Sequence, residues 1–293
     1  MAPRQRMDDM NKPETPETPQ HRGRPDSKAG PIALFLQVLR FYSRLPVPPL
    51  GFEPAPHARP DLRRGFWAVP LVGAVIGAIG AGAGGLAYLA GLSTAVAAAL
   101  AVAAQVIAAG AFHEDGLADC CDGFWGGATP ERRREIMKDS RIGTYGASAL
   151  ALALALRILA LTELFRLIGP GAILVLVAVG ALSRPLALLP VAVIAPAPGP
   201  GMAAETPMPG GLALVLGCGI GFALFAGLAM QAGLSAGIGP AILAALALVA
   251  LVARLAEKKI GGHTGDVLGA GQQLAEIGLL LALSAAANWQ GPL

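Results

Sequence analysis

The sequence predicts an all-α protein, a polytopic bundle of about seven transmembrane helices with a short interfacial helix ahead of it. Composition is the first reason: 54% of the 293 residues are hydrophobic and only 14% are charged, against about a quarter charged in ordinary soluble domains. The mean hydropathy is +0.59. The apolar residues also fall into blocks about as long as a bilayer is thick. Finally, Ala and Leu dominate those blocks with no period-two alternation. In lipid that leaves helices rather than a closed barrel, because each span must satisfy its own backbone hydrogen bonds.

Residues 1–30 hold the run Pro13-Glu-Thr-Pro-Glu-Thr-Pro19 and scattered charge; such a segment cannot bury a core and is expected to be a disordered tail. It lacks the apolar stretch of a signal peptide. Residues 31–293 are read as one integral membrane domain. The run Ile32–Leu39, followed by Arg40 and Arg44, is too short to span and is placed at the interface. Seven spans follow, near 68–90, 94–112, 147–168, 171–195, 212–233, 237–254 and 267–287.

The first span carries Gly73, Gly77, Ala81 and Gly85 at four-residue spacing, and Gly217/Gly221 and Gly233/Gly237 repeat it. Small residues so spaced let backbones approach in lipid, within the chain or in a homo-oligomer. Lys and Arg crowd the N-terminal tail, the 113–146 loop and the Arg254/Lys258/Lys259 segment. These are assigned to the cytoplasm by the positive-inside rule. The same placement argues against nucleic-acid binding, which needs a basic face on a soluble module. The loop 196–211 must then be cytoplasmic too, although it has no Lys or Arg. Cys120, Cys121 and Cys218 form no CxxC pair and are read as small apolar fillers.

Chemistry concentrates in three stretches. In Phe112-His-Glu-Asp-Gly-Leu-Ala-Asp-Cys-Cys-Asp-Gly-Phe-Trp-Gly-Gly127, a helix would place Asp115, Asp119 and Asp122 on one face. Carboxylates so aligned repel near a low-dielectric region, and a divalent cation relieves that. Oxygen ligands suit Mg²⁺, with substrate phosphates completing its shell. Glu114 makes a fourth carboxylate within nine residues, and glycines such as Gly123 would allow close approach to a phosphate. The second stretch supplies Lys138 and Arg141 as phosphate partners, with Arg132, Arg133 and Arg134 as a positive-inside anchor. In the third, Asp266 opens the last span, Gln273 lies on the same face, and Gln272 and Glu276 border it. Polar groups inside spans are functional candidates because each is costly in lipid; helix–helix hydrogen bonding is the alternative. Arg184, within a span, either snorkels or faces the acidic cluster. His113 is the nearest candidate general base, and His263 sits beside the third motif.

Taken in order, Phe41-Tyr-Ser-Arg-Leu-Pro-Val-Pro48, His113-Glu-Asp-Gly-Leu-Ala-Asp-Cys-Cys-Asp-Gly123, Met137-Lys-Asp-Ser-Arg-Ile-Gly143, Ser183-Arg-Pro185 and Gly265-Asp-Val-Leu-Gly-Ala270 resemble the cobalamin synthase (adenosylcobinamide-GDP ribazoletransferase) family. The resemblance runs from about residue 32 into the last span. It implies a Mg²⁺-dependent enzyme of the bacterial cytoplasmic (inner) membrane, with its site facing the cytoplasm. That enzyme joins adenosylcobinamide-GDP to α-ribazole, or its 5′-phosphate, with release of GMP. Carried over residue by residue, it implies Asp115, Asp119 and Asp122 as metal ligands, Glu114 and Asp266 as further ligands, and Lys138, Arg141 and Arg184 on phosphates.

Two other readings compete. Asp119-Cys-Cys-Asp122-Gly123 starts like the acidic motif of CDP-alcohol phosphotransferases, but the Ala-Arg pair and the second aspartate pair of that motif are missing. A cation-coupled transporter would place its carboxylates near the bilayer midplane, whereas these cluster at the end of a span.

Overall fold

A computed structural model describes residues 29–199 and 206–290. The tail expected to be disordered falls almost wholly in residues 1–28, outside the described residues. The described chain is helical: α1 (Pro31–Tyr42), α2 (Leu62–Gly65), α3 (Ala68–Leu89), α4 (Thr94–Ala109), α5 (Phe112–Gly126), α6 (Pro130–Ile136), α7 (Thr144–Ile168), α8 (Gly171–Ala187), α9 (Gly211–Gln231), α10 (Ile238–Ile260) and α11 (Gly265–Gln290). A single isolated bridge pairs Pro196 with His263. Among the described residues six helices are long and apolar enough to cross a membrane, and α4 with α5 makes a seventh only as a pair bent by 89°. The protein is a multi-pass membrane protein, and each expected span has its helix.

The bend is where the sequence-based boundaries miss. The expected span 94–112 stops at Ala109, because Gly110 (φ 65°) and Ala111 (φ 54°) both adopt the left-handed conformation. Alanine rarely does so. The turn is held from outside: the Arg44 amide donates to the Ala108 carbonyl at 2.7 Å, and the Arg44 side chain fills the space where a Cβ on Gly110 would stand.

Arg44 is presented by a loop wrapped around Arg40. The Arg40 guanidinium donates to the carbonyls of Val47, Pro48 and Pro56 and to both oxygens of Glu53. Those bonds hold the Glu53 carboxyl below its usual range. The Phe41–Pro48 motif is thus a device that positions the bend.

The small-residue stripe of α3 is consumed inside the protein. A Cβ on Gly77 would lie 2.9 Å from the Val177 Cα of α8, and one on Gly84 would lie 2.9 Å from the Ala97 carbonyl of α4. Gly217 and Gly221 likewise face Phe66 and Ala181. Gly233 departs from expectation: it lies in the turn after α9 with φ 79°, so it and Gly237 do not form a helix face. Apolar side chains on α9 such as Leu212, Val215 and Phe222 remain exposed, as befits a lipid-facing surface.

Close α3–α8 packing predicts that Gly77→Val lowers stability by about 1–3 kcal/mol through overpacking, seen as a lower melting temperature in detergent. Gly82→Ala on the same helix, with nothing within 4 Å, leaves the melting temperature unchanged or slightly raised.

Candidate active site

The site is organised by a buried cation that the sequence reading passed over. Arg157 of α7 has a side chain only 2% exposed. It pairs with Glu114 of α5 at 2.9 Å and Glu276 of α11 at 2.7 Å. It also donates to the Gln105 Oε1 of α4 at 3.1 Å and the Gln273 Oε1 at 3.2 Å. The Gln273 amide donates to Glu114 and to Gln272 Oε1, and the Gln272 amide donates to Ser183 Oγ and Glu276. One polar layer therefore ties α4, α5, α7, α8 and α11 together.

Arg184 lies beside this layer, within electrostatic range of Glu276 and Glu114, and donates to the Gly180 carbonyl of its own helix at 3.2 Å. Two arginines thus balance two glutamates in a region where an unbalanced charge is very costly. Sequence signals for the missed members exist: Arg157 and Gln105 interrupt otherwise apolar runs, and polar residues inside spans are functional candidates.

Toward the end of α5 the balance reverses. The helix forms over the expected residues, so Asp115, Asp119 and Asp122 do share a face, but their roles divide. Asp122 accepts from the amides of Gly143 and Gly146 at 2.7 and 2.8 Å, capping the first turn of α7 across 21 residues of chain. Asp115 is exposed and Asp119 half-buried, and among the described residues neither has a side-chain hydrogen bond or ion pair. Asp119 lies within electrostatic range of Asp115, Asp122 and Asp266. Asp266 is brought in by a tight crossing: a Cβ on Gly116 would lie 3.0 Å from the Asp266 Cα. Its carboxylate accepts from Thr264 Oγ1 at 3.3 Å and lies within range of Lys138.

The remaining candidates are placed as follows. Glu114 is occupied by Arg157 through one oxygen, and its Oε2 is buried without a partner among the described residues. Gln273 is fully engaged in the polar layer. Arg141 is exposed and paired with Asp139 at 2.7 Å, which holds that carboxyl at about 2. A Cβ on Gly123 would lie 2.9 Å from the Arg133 carbonyl, so this glycine packs α5 against α6. His113 is buried, its ring stacked on Tyr42 at 5.7 Å. His263 contributes its backbone, bonding Ala195 and Ala197. The expected anchor arginines also hold helices together. Arg133 and Arg134 donate to the carbonyls of Lys259 and Ile260, covering the C-terminus of α10.

Among the described residues no group of three or more His, Cys, Asp and Glu is arranged to hold a metal ion by itself. Mg²⁺ does not require one, since it commonly takes one or two carboxylates and completes its shell with water and substrate phosphate. Asp115, Asp119 and Asp266 are hard oxygen donors, accessible at least in part and lightly committed. They fit that use, whereas Glu114 and Asp122 are already engaged.

A family model described as cobalamin-5-phosphate synthase matches residues 34–284. The chain belongs to this family. A relative from Azorhizobium caulinodans, named adenosylcobinamide-GDP ribazoletransferase, is 48% identical over 248 residues, covering 84% of this chain and 92% of the relative. Relatives of the same name from Brucella ovis and Brucella canis are 38% identical over 266 residues, covering 87% of this chain and 97% of each relative. No solved structure matches. The family segment contains every member of the polar layer and of the acidic rim.

Replacing Arg157 by Leu leaves two buried glutamates without their cation. Stability is expected to fall by about 3–5 kcal/mol, measured by denaturant unfolding in mixed micelles. Arg141→Ala, removing an exposed, solvent-screened pair, leaves the unfolding midpoint unchanged.

Proposed function

We propose that the protein is a membrane transferase that joins adenosylcobinamide-GDP to α-ribazole, or to its 5′-phosphate, releasing GMP. The observation that carries this reading is the carboxylate rim of Asp115, Asp119 and Asp266, the first two unpaired among the described residues, set at the edge of a charge-balanced layer in a chain of this family. The relatives' shared name supplies the substrates.

The chemistry follows from the rim. A ribose hydroxyl of the acceptor attacks the phosphorus nearest the corrinoid, the new P–O bond forms, and the bond to GMP breaks. The diphosphate is anionic, and an acidic rim alone would repel it. Mg²⁺ held by two or three of Asp115, Asp119 and Asp266 would supply the compensating charge on the diphosphate oxygens. Lys138, within range of Asp266, would attract the same phosphates as a point charge. Positioning and charge neutralisation carry most of such a transfer.

The charge asymmetry supports a site on the cytoplasmic side of a bacterial inner membrane. The arginine-rich α6 and Lys258 and Lys259 all lie at the end of the bundle that carries the rim, where the positive-inside rule places the cytoplasm.

The test uses protein in lipid nanodiscs with adenosylcobinamide-GDP, α-ribazole and Mg²⁺, following GMP and the joined corrinoid by mass spectrometry. Equal amounts of both products are expected, and EDTA suppresses them. Asp119→Asn lowers turnover about 100-fold or more with an unchanged melting temperature. Asp122→Ala, which uncaps α7, also lowers stability by about 1 kcal/mol. Normal turnover by Asp119→Asn would remove that carboxylate from the site.

A further inference from the structure

Beside the acidic rim a partly enclosed cleft opens between α1, the start of α5, the end of α8 and the first turns of α11, with Thr206 and Met208 on its other side. Its empty volume, mouth included, is about 450 Å³. Tyr42, Phe112 and His113 give it an aromatic wall, Leu268 and Met208 add apolar surface, and Gly265 and Gly269 line it without side chains. Tyr42, His113, Arg184 and Thr206 bring polar side-chain atoms to the lining, and two of these atoms lack partners. The Arg184 Nε and the Thr206 Oγ1 are buried, and neither has a hydrogen-bond partner among the described residues. Leaving a buried donor unpaired is costly, so this pair points to a ligand that supplies an acceptor.

The lining discriminates between ligand chemistries. A phosphate is disfavoured, because the charge of Arg184 is already offset by Glu276 and Glu114. Guanine is disfavoured because its two adjacent N–H donors call for a bidentate acceptor such as a carboxylate, and among the described residues no Asp, Glu, Asn or Gln lines the cleft. A benzimidazole fits: it is flat, stacks on aromatic side chains, has an apolar rim and offers one ring-nitrogen acceptor to Arg184 or Thr206.

We propose that this cleft seats the benzimidazole base of the acceptor nucleoside, an assignment that rests on the transferase reading above. Gly265 lines the cleft and Asp266 follows it in the chain. A nucleoside with its base in the cleft therefore has its sugar beside the acidic rim, where its hydroxyl must react.

The test measures binding of α-ribazole and of GMP to the full-length protein in nanodiscs by equilibrium dialysis, alongside turnover. Leu268→Trp fills the cleft from α11, and Met208→Trp fills it from the loop with less risk to folding. Each is expected to weaken α-ribazole binding about tenfold or more while GMP binding is unchanged. Thr206→Val, close in shape, weakens α-ribazole binding but not GMP binding. Unchanged α-ribazole binding in both tryptophan variants overturns the assignment, as does a loss confined to GMP, which would put guanine in the cleft. A wild-type protein that makes no product, with α-ribazole binding still weakened in the variants, would sink the transferase reading and leave the cleft assignment standing.

Discussion

The structure depends on keeping one guanidinium charged inside a membrane bundle. Arg157 lies in the interior of α7, where moving a lone charge out of water costs many kcal/mol. It is tolerated because Glu114 and Glu276 reach it from α5 and α11 while Gln105 and Gln273 take further donors. Each partner comes from a separate helix or a separate turn, so the requirement fixes how α4, α5, α7 and α11 stand against one another. The 89° turn between α4 and α5 follows from it. A straight continuation of α4 would carry Glu114 away from the layer, and the left-handed pair Gly110–Ala111 with the Arg44 brace redirects it.

That redirection also makes the rim. Glu114 and Asp115 are adjacent on α5 and so point about 100° apart. With Glu114 held inward by Arg157, Asp115 and Asp119 are turned out of the layer toward the first turn of α11. Gly116 then matters for a concrete reason: any side chain there would strike the backbone at Asp266, and the third carboxylate would be pushed away. Stability and chemistry are coupled here through one short helix whose inner face is neutralised and whose outer face is not.

Much of this was legible in the sequence. Block length and composition placed a helix at every expected span, although α8 ends at Ala187, short of the expected 195, and α10 runs on to Ile260, past the expected 254; the three aspartates of α5 were expected on one face. What escaped was non-local. The Asp122 side chain caps α7, whose own N-cap residue, Gly143, has no side chain to do so. No local pattern announces a cap donated from 21 residues away. Gly123 looked like a phosphate-approach glycine, yet its space is filled by Arg133 and Met137 once α6 folds back. The bend was hidden because Ala111 is a helix former by propensity and is left-handed only through tertiary contacts. Arg157 could have been weighed, since it stands alone in an apolar stretch, but its partners lie 43 to 119 residues away in sequence.

The contrast between the layer and the rim argues for function more strongly than either does alone. A membrane protein that needed acidic residues only for packing could pair them, as Glu114 and Glu276 are paired. Cations are available at this end of the molecule, yet Arg141 is spent on Asp139, and Arg133 and Arg134 on the α10 carbonyls. Asp115 and Asp119 are left with no protein partner among the described residues. Repulsion that the fold had the means to relieve, and does not, supports the proposed binding of a charge that arrives from outside. Because the first turn of α11 borders both the rim and the aromatic cleft, that charge and an uncharged aromatic ring would be held side by side, the juxtaposition needed to bring a nucleoside hydroxyl to a diphosphate.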